Sequence, residues 1–133
     1  LHTAYRRQRQ MCIRDRSKAN ETTTHEVVGE VEGKTCLLVD DMVDTAGTMC
    51  QAALALKKHG AKRVIAAATH PILSDPAAER INNSPIEELI VTNTLKIRDD
   101  IDIPAMTLLS IAPLIAKAIQ EVFEDGSVTS LFR

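Results

Sequence analysis

Three carboxylates and a run of small residues stand together in Asp40-Asp41-Met42-Val43-Asp44-Thr45-Ala46-Gly47-Thr48, directly after the most apolar short run in the first half of the chain. If Thr45, Ala46, Gly47 and Thr48 open a helix, their backbone N–H groups have no partner inside it. They point at any anion placed there, and the helix dipole adds partial positive charge. Gly47 has no Cβ to keep a phosphate from the backbone, and the two threonine hydroxyls add donors. Asp40 and Asp41 are wrong partners for a phosphate but good acceptors for vicinal hydroxyls. Together these features suggest a sugar phosphate, with the acids on the ring hydroxyls and the helix start on the phosphate. Asp44 lies close enough to the phosphate position to organise the loop or to bind through a metal or water. An isolated acidic pair reads more simply as a strand end and a helix cap; the attached small-residue run is what tips the reading toward a ligand site.

The elements that must position this loop follow from periodicity. Thr35 to Val39 is a continuous apolar run bounded by turn residues, the pattern of a parallel strand buried on both faces. From Ala46 to His59, Met49, Ala52, Ala53 and Leu56 recur at helical spacing. Lys57, Lys58 and His59 suit the negative end of that helix, and Gly60 its stop. The alternation then repeats: strand at Val64–Ala68, a helix to about Ile81 capped by Ser74 or Asp75 with Pro76 in its first turn, strands at Leu89–Val91 and Met106–Leu109, and a last helix from Ile111 to Phe123. That helix carries a stripe of Leu114, Ile115, Ala118, Ile119 and Val122. Ahead of all this, Val27 to Val31 reads as a short extended segment closed by a turn at Glu32-Gly33. Strands and helices in alternation with short connections imply an α/β fold, a parallel sheet flanked by helices, whose ligands sit beyond the carboxyl ends of the strands.

Composition limits the alternatives. The 133 residues fit one domain, and with 44% hydrophobic but only 2% aromatic residues the interior must be aliphatic. A net charge of -2 leaves no basic footprint for nucleic acid, and aromatic platforms for bases are missing. No apolar run reaches the roughly 18 residues a membrane helix needs. Cys12, Cys36 and Cys50 lack metal or redox spacing, and the last two fall where core is expected, so they read as small core residues of a reduced, cytoplasmic protein. Neither GxxxxGK[ST] nor GxGxxG occurs, and position 42 is Met where a haloacid-dehalogenase-like phosphatase needs Asp. A signalling receiver's phosphoacceptor and later lysine are not convincingly placed. Residues 1–17 are basic and without periodicity, a disordered or non-native segment; Ser17 to Glu26 is a polar linker, and residues 18–133 form the domain. His70 reads as a loop or structural histidine, Lys62 and Arg63 as surface cations, and Arg98-Asp99-Asp100-Ile101-Asp102 as a solvated loop.

The stretch Val39 to Thr48 resembles the phosphoribosyl-pyrophosphate loop of type I phosphoribosyltransferases, and in its wording that of ribose-phosphate pyrophosphokinases. The likeness continues through Gly60-Ala61-Lys62-Arg63-Val64, Ala68-Thr69-His70-Pro71, Glu88 to Thr94 and Ser127 to Phe132. It implies a phosphoribosyltransferase-like fold and the transfer of pyrophosphate from magnesium ATP to ribose 5-phosphate. Asp40, Asp44, Thr45, Ala46, Gly47 and Thr48 would then bind ribose 5-phosphate, with Asp41 beside them. By the same resemblance this chain is a carboxyl-terminal domain. The family's amino-terminal domain, with the magnesium ligands and most of the nucleotide site, is not in it, so no metal ligand is expected here and the chain alone is expected to be inactive. The family's catalytic loop carries a Lys-x-Arg pair just before Lys18-Ala19-Asn20; here Arg14-Asp15-Arg16-Ser17 stands in its place, and no catalytic residue is assigned. Family members form a regulatory phosphate site between subunits near the closing segment, which makes Ser127 and Thr129 candidates for that role, and the parent enzyme is expected to be a homo-oligomer. Two alternatives share the cradle: a non-catalytic regulatory subunit of the same family, and a phosphoribosyltransferase, which would need a base-reading hood that these residues do not supply.

Overall fold

The structure is a computed structural model that describes residue 27 and residues 29–132. The expectations for residues 1–17, for the linker to Glu26 and for Cys12 lie outside the described residues. Eight elements follow one another: β1 (Thr35–Val43), α1 (Gly47–Lys58), β2 (Arg63–Pro71), α2 (Ala77–Asn82), β3 (Glu88–Thr92), β4 (Met106–Leu109), α3 (Ala112–Phe123) and a 3-10 turn (Val128–Phe132). The four strands form one parallel sheet in the order β1-β2-β3-β4. The α/β architecture is therefore as expected. The segment before the turn at Glu32-Gly33 is not a strand at its described residues.

Side chains alternate across a strand, and paired positions in the parallel register share a face. One face of the sheet carries Cys36 and Leu38, Val64, Ala66 and Ala68, Leu89 and Val91. Against it pack Met49, Cys50, Ala53 and Leu56 of α1 and Ala77 and Ile81 of α2, and here the core lies. The α1 stripe read from the sequence is thus the buried one, with Cys50 added to it. α1 ends where His59 and Gly60 donate back to Ala55, Leu56 and Lys57, with Gly60 at φ 86°, a conformation that favours glycine.

The opposite face differs from expectation. β1 is not buried on both sides: Leu37 is 58% and Val39 73% exposed, and Leu109 of β4 is exposed as well. α3 forms at the expected place, but none of its residues is buried, and the only described element it packs against is the 3-10 turn after it. Its stripe of Leu114, Ile115, Ile119 and Val122 stays in solvent. Among the described residues, helices cover one face of the sheet only.

α2 is also entered differently. Neither Ser74 nor Asp75 caps it through a side chain; Pro76 holds the cap position, and the Ser74 carbonyl accepts from the Ala77 N–H at 2.9 Å. Asp75 is taken by Arg98, whose guanidinium also grips Asp100. That grip orders part of the acidic loop and holds the Arg98 guanidinium above its ordinary pKa, through the hydrogen bonds to Asp75 and then Asp100.

Candidate functional site

β1 runs four residues beyond the apolar stretch, because Asp40, Met42 and Val43 still pair with Ala68, His70 and Pro71 of β2. Asp40 and Asp41 therefore lie inside the strand rather than in the loop, and only Asp44, Thr45 and Ala46 separate β1 from α1. Adjacent strand residues face opposite ways, so Asp40 and Asp41 do not share a face. Both, with Asp44, are exposed at the carboxyl end of the sheet, and no cation among the described residues pairs with any of the three. One Asp40 oxygen accepts the Asp41 N–H at 2.9 Å, which leaves its other lone pairs open.

The loop is anchored at both ends. Val43 is buried, and its carbonyl accepts from the N–H groups of Ile72 and Leu73, each at 3.0 Å. At the other end Ala46 buries its methyl group while its backbone adopts φ 57°. That left-handed conformation costs an alanine roughly 1–2 kcal/mol and brings the chain abruptly into the helix. The first helical bond is from the Cys50 N–H to the Ala46 carbonyl, at 2.9 Å. Among the described residues the N–H groups of Thr45, Ala46, Gly47, Thr48 and Met49 find no backbone acceptor, no side chain caps the helix, and its first turn holds no acid. These are free donors of the kind a phosphate takes up. Thr45 and Thr48 are exposed and Gly47 is half-buried.

One contact has no sequence signal. Arg80 of α2 reaches across to donate from Nη1 to the Thr45 carbonyl at 3.0 Å, a contact that joins residues 35 apart and depends on how α1 and α2 pack. It borders a cleft of about 720 Å³ with Gly47, Thr48 and Ser84. A Cβ at Gly47 would stand 3.2 Å from the same nitrogen, so the glycine makes room for Arg80 as well as for any anion. Beneath, burial pushes the Cys50 thiol up, opposed by a hydrogen bond with Ser84 and by the charge of Arg80. The thiol is therefore inert packing, as read from the sequence.

At the neighbouring strand ends His70 lies within β2, where its Nδ1 meets the Thr94 hydroxyl at 3.0 Å, while Thr92 and Thr94 both donate to the Thr69 carbonyl. This network fastens β2 to β3 beside the acids and fits a structural histidine. Ser127 and Thr129 are exposed, their hydroxyls 2.6 Å apart. Lys57 and Arg63 both pair with Glu87, whose carboxyl they hold below its ordinary range, the Arg63 hydrogen bond contributing most. Among the described residues no group of three or more His, Cys, Asp or Glu side chains could hold a metal ion, and no helix is long and apolar enough to cross a membrane.

Comparison with known proteins gives a consistent pattern. The family model described as "Phosphoribosyl synthetase-associated domain" matches residues 6–133. A ribose-phosphate pyrophosphokinase of Streptomyces coelicolor is 58% identical over 119 residues, which are 90% of this chain and 37% of that protein. One from Mycobacterium leprae is 53% identical over the same length, 36% of its own. The crystal structure of phosphoribosylpyrophosphate synthetase from Mycobacterium smegmatis superposes with a TM-score of 0.73 at 54% identity, covering 80% of this chain and 36% of that one. The chain spans little more than a third of the relatives it matches.

Proposed function

The chain belongs to the phosphoribosyl synthetase-associated domain family, and we propose that it is the ribose 5-phosphate-binding part of a ribose-phosphate pyrophosphokinase, which moves pyrophosphate from ATP to ribose 5-phosphate to give phosphoribosyl pyrophosphate and AMP. The observation that carries the reading is the set of unpartnered amides from Thr45 to Met49 at the end of a strand that bears two exposed acids. Amides of Thr45, Ala46, Gly47 and Thr48 take the phosphate; Asp40, on the helix-covered face of the sheet, accepts from ring hydroxyls, with Asp41 beside it on the other face; Asp44 braces the loop between them. The described residues do not fit a protein-held magnesium site. Magnesium arrives with ATP, and its protein ligands belong to the part of the relatives that this chain does not span. By the same reading the enzyme is a cytoplasmic homo-oligomer in nucleotide biosynthesis, and Ser127 and Thr129 contribute to a regulatory phosphate site.

The test is a titration of this chain by calorimetry and thermal shift with ribose 5-phosphate, ribose and inorganic phosphate. Ribose 5-phosphate is expected to bind and to stabilise the fold more than the other two. Equal effects of ribose 5-phosphate and phosphate would reduce the site to a plain anion hole, and no effect of either would end the proposal. A second reading, a non-catalytic regulatory subunit, is favoured by Arg14-Asp15-Arg16 standing where the family's Lys-x-Arg pair is expected. It keeps ribose 5-phosphate binding but gives no turnover even when joined to the remaining part of a relative.

A further inference from the structure

A row of amides serves an anion only if the peptide units that carry them face outward. The helical turn fixes those of Gly47, Thr48 and Met49, but the peptide between Thr45 and Ala46 precedes α1 and is not set by it. It is held from behind instead. The Arg80 guanidinium binds the carbonyl of this peptide at 3.0 Å, and in a trans peptide the carbonyl and the N–H point in opposite directions. With its oxygen turned to α2, the peptide must turn the Ala46 N–H away from α2, and that N–H has no backbone partner among the described residues. The bond also acts next to the one non-glycine residue of the loop with a left-handed backbone, Ala46 at φ 57°. Among the described residues Arg80 pairs with no carboxylate, so its charge stands unneutralised beside the loop. The missing Cβ of Gly47 is what allows it this close.

We propose that Arg80 is a positioning residue of the anion cradle: by holding the Thr45 carbonyl it keeps Ala46 in its left-handed conformation and presents the Ala46 N–H to the phosphate of a bound sugar phosphate. This rests on reading the loop as a ribose 5-phosphate site. The test compares the full chain with Arg80→Ala and Arg80→Lys by titration with ribose 5-phosphate, by unliganded melting temperature, and by the Cα and Cβ chemical shifts of Ala46, which report its backbone without any ligand. Arg80→Ala is expected to weaken binding about tenfold or more, to leave the unliganded melting temperature close to wild type, and to move the Ala46 shifts toward ordinary right-handed values. Arg80→Lys, which keeps the charge and one donor, is expected to recover part of both. Affinity within twofold of wild type in Arg80→Ala, or unchanged Ala46 shifts, overturns the proposal. If Arg80→Ala does not fold, Arg80→Met, which keeps the stem but no donor, decides, and wild-type affinity together with wild-type shifts in it overturns the proposal. If the wild-type chain binds no ribose 5-phosphate, the functional reading fails by itself, and the Ala46 shifts still decide whether Arg80 sets the loop.

Discussion

Gly47 can separate ligand binding from folding. A Cβ built there meets Arg80 Nη1 at 3.2 Å and Arg80 Cζ at 3.9 Å, with Thr45 Oγ1 at 4.0 Å. Gly47→Ala thus asks the guanidinium to give by a few tenths of an ångström, enough to strain its 3.0 Å bond to the Thr45 carbonyl. Gly47→Leu must displace the guanidinium or fill the cradle. Without ligand neither change should be costly, because Gly47 is the first residue of α1, and leaving glycine for a better helix former gains up to about 1 kcal/mol in a helix interior and less at its end. With ligand the sign reverses. If ribose 5-phosphate binds as proposed, then at a hundred times its dissociation constant it is expected to stabilise the wild-type chain by about 2.7 kcal/mol, a rise of the order of 10 °C in melting temperature for a domain this small. A tenfold weakening in Gly47→Ala at the same concentration leaves about 1.4 kcal/mol, half the rise. Gly47→Leu is expected to abolish it. Differential scanning fluorimetry with and without ligand reads both numbers. A Gly47→Leu protein that melts like wild type alone and keeps the full ligand-induced rise would refute the claim that the phosphate sits against this backbone.

Other outcomes follow from different parts of the molecule. Leu89 is fully buried at the centre of the sheet, so Leu89→Ala is expected to cost about 2–5 kcal/mol in urea denaturation, whereas Ile119→Ala on exposed α3 should stay within about 0.5 kcal/mol. A comparable loss at both would mean that α3 is packed in solution. The depressed carboxyl of Glu87 contributes stability above its unfolded-state pKa and loses it as pH falls through its folded value. The melting temperatures of wild type and Glu87→Gln should therefore differ most near neutrality, converge in acid, and differ less at high salt, since the pairs are exposed. A gap that persists in acid would exclude these ion pairs as its cause. Mixed with magnesium, ATP and ribose 5-phosphate, the chain alone is expected to form no AMP; robust turnover on a chromatographic assay would contradict the assignment of the nucleotide site to residues outside it.

What could be read in advance was local. The α1 stripe of Met49, Ala52, Ala53 and Leu56 and the stop at Gly60 come from helical spacing and one glycine, and both stand in the structure. Pairing is not local, and the apolar run that ends at Val39 is shorter than β1, which continues to Val43. Asp40 to Val43 have poor strand character on their own and are extended because β2 continues beside them as far as Pro71. The left-handed residue at the loop's end was hidden for a related reason. The positive φ falls on Ala46 beside Gly47, and its surroundings, a buried methyl group and the neighbouring Arg80 contact, come from packing that no local pattern shows. The α3 stripe was legible as a pattern, but a pattern does not say what it faces, and here it faces solvent.

Among the described residues β1 is hydrogen-bonded to a neighbour along one edge only, and the acids and the loop hang from its far end. A ribbon laced on one side unzips from that side first, so its amides should exchange with deuterium sooner than those of β2, which is laced on both. Each such opening slackens the strand on which the acids and the loop are mounted. Whatever shelters that rim will therefore steady the loop without ever touching it.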